Sequence, residues 1–219
     1  MSERHNYGSS FYNLTLRKHL KREVISFLGR LSSFKKIQTD KKYLQLGCGE
    51  DDVDDKFLNC DFFTFRSLNP FLKKKMYYLD LRYPLPFNNN KFEGVFSEHT
   101  IEHLYSSEVK NLFKEIHRVL SENGIFRVIT PDLKKYINYY VKGEKFIDRE
   151  FKFGCEAIWN ISNNFGHKSV WDSEWLIYQL KEAGFKEVVE VKRNTGENKD
   201  LLIDKEGREA ESLYVEAKK

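Results

Sequence analysis

The chain has 219 residues, 40% hydrophobic and 32% charged, with 18 Phe, 12 Tyr and 3 Trp; disorder as its main theme is excluded and one sizeable core is provided for. No apolar run approaches the roughly 18 residues of a membrane span, and residues 1–10 lack the layout of a signal peptide, so a cytoplasmic protein is expected. The net charge of +4 is unevenly spread, because residues 1–42 carry ten Lys/Arg against three Asp/Glu and the remainder is net acidic.

In chain order, the first element is basic. Leu16, Leu20, Val24, Phe27, Leu31 and Phe34 recur every three or four residues, flanked by Arg17, Lys18, Lys21, Arg22 and Arg30, as in an amphipathic helix within residues 1–42. Its apolar stripe is expected to dock on the following domain, with peripheral contact through residues 14–36 to the inner face of a membrane as the alternative. Residues 43–219 form a single domain that alternates strand-like and helix-like runs, without repeats or linkers. Strands are expected at 43–46, 57–61, 76–80, 94–97 and 125–130. Val109, Leu112, Phe113, Ile116, Val119 and Leu120 make a helical face, opened by Ser106 or Ser107 and closed near Gly124. Leu133, Tyr136, Ile137 and Tyr140 mark a second helix; residues 173–183, capped by Ser173 and stopped by Gly184, mark a third. The tail strands, 187–192 and 213–217, have no helix between them and should pair antiparallel. The pattern is that of an α/β fold: a doubly wound, mainly parallel, Rossmann-like sheet of seven strands with an antiparallel final strand. Cys48, Cys60 and Cys155 lack the spacing of a disulfide framework or zinc site and read as reduced thiols.

The most informative stretch is Tyr43-Leu44-Gln45-Leu46-Gly47-Cys48-Gly49, a buried-type strand running into a Gly-X-Gly turn at its carboxyl end, where open α/β sheets bind ligands. A bare GxG is more often a tight turn than a cofactor site. Asp52 occupies the third position of a dinucleotide fingerprint, and five acids among residues 50–55 disfavour a pyrophosphate, so NAD is not expected. Asp61 and Asp80 end the second and third strands, at the same sheet edge as Gly47 and Gly49. A carboxylate at the first of these places can accept from two ribose hydroxyls, and one at the second, with a neighbouring N–H, can read an adenine edge.

With these residues the sequence resembles the class I S-adenosylmethionine-dependent methyltransferases. Asp80-Leu81-Arg82-Tyr83-Pro84, Phe92-Glu93-Gly94-Val95-Phe96-Ser97-Glu98-His99, Ile101-Glu102-His103-Leu104, Arg118-Val119-Leu120, Gly124-Ile125-Phe126-Arg127-Val128 and Thr130-Pro131-Asp132-Leu133 resemble successive segments of the type 11 group over residues 43–133. Phe165-Gly166-His167 and Ser212-Leu213-Tyr214-Val215 are similar to a subset of small methyltransferases associated with cell-surface polysaccharide synthesis. The resemblance implies S-adenosylmethionine as cofactor, with Gly47, Cys48 and Gly49 at its methionine part, Asp61 at its ribose, Asp80 and Leu81 at its adenine, and Ser97, Glu98 and His99 beside the sulfonium and acceptor. Two departures stand out: Asp61 follows Gly49 by only twelve positions, too few for the usual helix, and Ser121-Glu122-Asn123-Gly124 replaces the usual Pro-Gly-Gly turn.

His99-Thr100-Ile101-Glu102-His103 also matches the H-x-x-E-H pattern of inverted zinc peptidases, a reading rejected because the cluster follows a strand and does not lie inside a long helix. Glu102 and His103 are expected to form a structural pair with His99 lining the pocket. A divalent metal at His99, Glu102 and His103, completed by His167, is the alternative, similar to the Glu-x-x-Glu-His sites of some O-methyltransferases acting on RNA ribose or quinone precursors. His103, His167 and His99 are the candidate bases for O-methylation; His5, His19 and His117 read as surface residues. An aromatic stretch around 144–170 (Phe146, Phe151, Phe153, Trp159, Phe165), followed by Trp171, is placed as an acceptor-side insertion suited to a small-molecule or saccharide hydroxyl. The rival classes are a nucleic-acid methyltransferase, opposed by the acidic remainder of the chain, and a non-catalytic cofactor-binding module.

Overall fold

The short aliphatic and aromatic runs form strands, and their alternation sorts side chains between two faces. The computed structural model describes residues 20–21, 23–27, 30, 36–49, 54–62, 76–143 and 151–219. The strands are β1 (Tyr43–Leu46), β2 (Phe57–Asp61), β3 (Tyr77–Tyr78), β4 (Phe92–Glu98), β5 (Leu120–Pro131), β6 (Glu187–Glu190) and β7 (Ser212–Lys218). They make one seven-stranded sheet in the order β3-β2-β1-β4-β5-β7-β6. The first five are parallel, and β7 inserts antiparallel between β5 and β6. The register pairs Leu46 with both Cys60 and Ser97, so β1, β2 and β4 end at one edge.

Leu44, Leu46, Val95, Phe126 and Val128 point into the main core, where α1 (Ser106–Val119) buries Val109, Leu112, Phe113, Ile116 and Val119, and α4 (Ser173–Glu182) buries Leu176 and Leu180. The opposite face buries Phe57, Phe96, Ile125, Ile129 and Tyr214 beneath Leu201 of a short 3₁₀ turn. α2 (Leu133–Lys142) and α3 (Gly154–Asn163) pack together around Tyr136, Phe151, Ala157 and Ile161.

Several local expectations are corrected. The cap of α1 is Tyr105 in place of Ser106 or Ser107, because the Glu108 carboxylate accepts the Tyr105 N–H at 2.8 Å and closes the first turn. The cap of α4 is Asp172, whose side chain takes the Trp175 N–H at 2.9 Å, so Ser173 is already helical. β3 shrinks to two residues and β5 extends back to Leu120, where Asn123 turns left-handed at φ 62°. Within the expected insertion, α3 was not foreseen; Phe151 joins its cluster, Trp171 is buried in the main core stacked on Trp175, and Phe146 lies outside the described residues. His117 is half-buried, its ring edge-on to Phe185, while His5 and His19 lie outside the described residues.

The N-terminal segment meets the domain with its polar side. Leu20, Val24 and Phe27 of the expected stripe are exposed, whereas Ser26 Oγ donates to Asp80, Glu23 accepts from Arg82 at 2.6 Å, and the Arg30 guanidinium lies 3.7 Å over the Tyr83 ring. The cause is Asp80 itself: a carboxylate only 4% exposed requires hydrogen-bonded partners, and these residues help to supply them. Leu16, Leu31 and Phe34 lie outside the described residues. Among the described residues, no helix is long and apolar enough to cross a membrane.

The C-terminal loop is held by one buried cation. The fully buried Arg127 of β5 donates from Nε (2.7 Å) and Nη2 (2.5 Å) to Asp204 and from Nη1 (2.7 Å) to Glu216 of β7. Removing one member of such a set leaves the others uncompensated. Arg127→Met should therefore cost about 3–5 kcal/mol in urea unfolding; a loss below about 1 kcal/mol, the scale of an exposed ion pair, would show that the set does not hold the loop.

Candidate active site

Where β1 ends, the backbone must turn left-handed: Gly47 has φ +68° and Gly49 φ +61°. A Cβ on Gly47 would lie 2.1 Å from Thr100 Oγ1, so the close approach of the β1 and β4 ends requires glycine there. Beside Gly49 a Cβ would meet nothing within 4 Å among the described residues. The Gly47 and Cys48 N–H groups donate to the Cys60 carbonyl (2.9 and 3.2 Å), and the Gly49 N–H donates to Asp61 Oδ2 at 2.6 Å. The turn thereby holds the Asp61 carboxylate at the end of β2. Cys48 is buried, so it offers the edge its backbone and not its thiol.

The neighbouring acid is already occupied. Asp80 Oδ1 accepts the Arg82 backbone N–H (3.1 Å) and Nε (3.0 Å), and Oδ2 accepts Arg82 Nη2 (2.7 Å) and the Ser26 hydroxyl. Burial opposes its charge, yet Arg82 and Ser26 together hold its carboxyl below the ordinary aspartate value. The Asp80 oxygens, expected at an adenine edge, hold Arg82 and Ser26. Leu81 stays half-buried at this edge against the main core.

At the end of β4, Ser97 is buried with an unpartnered Oγ, and the Glu98 carboxylate accepts the Lys205 N–H (3.1 Å). His99 takes a left-handed backbone, φ +47°, which turns its ring toward β7: Nε2 stands 2.7 Å from Ser212 Oγ, while Nδ1 remains 3.7 Å from Glu102 Oε1. His99, expected to line the pocket, thus contacts β7. The chain then makes a 3₁₀ turn, Ile101–His103, that buries Glu102. Burial pushes the Glu102 carboxyl up to about 8, against the hydrogen bond from Thr130 Oγ1 at 3.3 Å.

His167 arrives from 64 positions later because the Lys168 and Ser169 N–H groups donate to the Glu102 carbonyl (2.7 and 3.2 Å). Its ring stands edge-on to His103 with centroids 5.1 Å apart, its Nδ1 is 2.6 Å from the Ile161 carbonyl, and burial lowers its pKa. The structure thus gathers Glu102, His103 and His167 beside the glycine turn. Sequence reasoning gave no role to Thr130, Ser212, Ile161, Arg82 or Ser26; only Arg82, two residues after Asp80, stood close enough in sequence to suggest its pairing.

Residues 69–128 match the family described as a methyltransferase domain. That match spans 60 of the 219 residues. No curated protein matches the sequence. Among solved structures, a possible histamine N-methyltransferase of Thermotoga maritima superposes with a TM-score of 0.55 at 16% identity, over 93% of this chain and 96% of that one. An S-adenosylmethionine-dependent methyltransferase of Archaeoglobus fulgidus superposes with a TM-score of 0.50 at 16% identity, over 96% and 97%. At such identities the likeness is one of fold. The left-handed turn at Gly49 beside the Asp61 carboxylate would suit a cofactor without phosphate, such as the S-adenosylmethionine named for the Archaeoglobus fulgidus structure.

The two glycines should respond differently to a methyl group. Gly47→Ala drives Cβ into Thr100 and should lower stability by roughly 1–3 kcal/mol through overpacking and left-handed strain. Gly49→Ala carries the strain without the clash, so it should lose cofactor affinity more than stability. Thermal melts paired with cofactor calorimetry separate the two, and equal losses in both variants would sink the distinction.

Proposed function

We propose that the chain transfers a methyl group from S-adenosylmethionine to a hydroxyl of a small-molecule or saccharide acceptor, in surface polysaccharide synthesis. The observation that carries this reading is the Gly47–Gly49 turn with Asp61 docked on it, immediately beside the Glu102, His103 and His167 cluster. Bound cofactor supplies the electrophilic methyl. The protein's part is to hold the ribose with Asp61, to keep the acceptor oxygen in near-attack position, and to ease the loss of the hydroxyl proton, for which the Glu102, His103 and His167 cluster is placed. The half-exposed aromatics Trp159 and Phe165 on the chain leading to His167 suit the apolar face of a sugar ring.

The test has two arms. Asp61→Ala should weaken cofactor binding by about 1.5–3 kcal/mol, the scale of a hydrogen bond to a charged group, while NAD binds neither form. Substituting His103 or His167 by Ala should slow methylation of hydroxyl acceptors by roughly 10²–10⁴ with cofactor affinity nearly unchanged. Full turnover in both histidine variants would exclude the cluster from the reaction.

Exposed Leu20, Val24 and Phe27, together with the excess of Lys and Arg in residues 1–42, support a place for this reaction at an anionic membrane surface, where lipid-linked saccharides reside. Vesicles containing phosphatidylglycerol should cosediment the protein, and replacing the three residues by Ser should release it. Equal binding to neutral vesicles would refute the electrostatic part of this placement.

A further inference from the structure

Glu102, His103 and His167 each bring one potential ligand atom to a common point, all within 4.8 Å of one another. Glu102 is 1% exposed and its Oε1 has no hydrogen-bond partner among the described residues, with His99 Nδ1 too distant at 3.7 Å to provide one. A buried carboxylate oxygen left in this way is costly unless something binds it. His167 commits Nδ1 to the Ile161 carbonyl at 2.6 Å; a carbonyl can only accept, so Nδ1 carries the proton and Nε2 keeps its lone pair. That is the arrangement by which a backbone carbonyl orients a metal-binding imidazole. The two ligand-bearing segments are also joined by main chain, through the Lys168 and Ser169 N–H bonds to the Glu102 carbonyl. The site therefore does not depend on a mobile side chain finding its place.

We propose that Glu102, His103 and His167 bind one divalent cation, that His99 lies outside its ligand set, and that the two imidazoles serve the acceptor through this ion and not as direct bases. Two imidazoles and a carboxylate suit Zn²⁺, Mn²⁺, Co²⁺ or Fe²⁺ better than an all-oxygen cation such as Ca²⁺, and three protein ligands leave positions open for exogenous oxygens. Two adjacent hydroxyls of a sugar-like acceptor can fill them. A hydroxyl held by the cation loses its proton to solvent water more readily; its oxygen then forms the O–CH₃ bond, and the electron pair of the broken S–CH₃ bond stays on sulfur. The acceptor role rests on the methyl-transfer reading above, whereas the ion site stands on its own ligands.

The experiment uses the untagged full chain, stripped with EDTA and titrated with Mn²⁺, Zn²⁺ and Co²⁺ by calorimetry, with the visible absorption of Co²⁺ as a signature of its coordination. One ion per chain is expected. Glu102→Gln, His103→Ala and His167→Ala should each weaken binding by more than about tenfold, and His99→Ala should retain it. Cofactor affinity and thermal melts of each variant identify any that fail to fold, and for these the milder His103→Gln and His167→Gln replace alanine. A wild-type chain that binds none of the three ions overturns the proposal, as does binding that survives all the ligand substitutions. Turnover that depends on His103 and His167 while the wild type binds no ion would leave the direct-base reading standing and remove this one. An ion bound by a chain that does not take S-adenosylmethionine would retain the site and remove the methyl-transfer reading.

Discussion

Everything at the candidate site depends on how closely the ends of β1 and β4 approach. Gly47 leaves β1 left-handed with Thr100 packed where its Cβ would be, and Thr100 Oγ1 lies 3.3 Å from the Leu46 carbonyl and 3.0 Å from that of Glu98. This contact locks the start of the glycine turn to the start of the 3₁₀ turn carrying Glu102 and His103. The glycine turn and the Glu102, His103 and His167 cluster thereby stand at one edge, although they follow different strands. Parallel pairing makes this possible, because only parallel strands bring their carboxyl ends to a common edge.

Two buried ionisable groups near the C-terminal half are treated in opposite ways. Arg127 is surrounded by acceptors from Asp204, Glu216 and the Thr195 carbonyl, so its charge is matched and its work is structural: it fixes the loop that covers the second face of the sheet. Glu102 is equally buried but keeps one oxygen unpartnered among the described residues, and its carboxyl is pushed up to about 8. Evolution can readily satisfy a buried carboxylate when stability is all that matters. One left incompletely bonded next to two imidazoles is the observation on which the proposed ion site rests.

The N-terminal segment shows how a buried charge can decide which face of a helix docks. Periodicity predicted that the apolar stripe would turn inward, yet Glu23, Ser26 and Arg30 do so because Asp80 and Arg82 offer them directional bonds. Leu20, Val24 and Phe27 are left on the outside. The same bonds engage Asp80 at the end of its strand, so one set of tertiary interactions sets both the partners of a buried carboxylate and the character of a surface.

The strand runs, the seven-stranded α/β sheet, the antiparallel tail and the Gly47–Gly49 turn were legible in the sequence, because burial on both faces demands continuous apolar runs and a left-handed turn favours glycine. Asp61 was legible for the same reason: its position at the end of β2 follows from strand length alone. What the sequence could not settle was which of several nearby polar groups would be brought together. His99 and Glu102 are three residues apart, yet a positive φ sends His99 to Ser212. His167 joins Glu102 and His103 only through backbone hydrogen bonds formed across more than sixty residues. Local pattern determines which way a side chain faces along its own element, but side-chain clusters are selected by long-range pairing, and that selection was made by the tertiary structure.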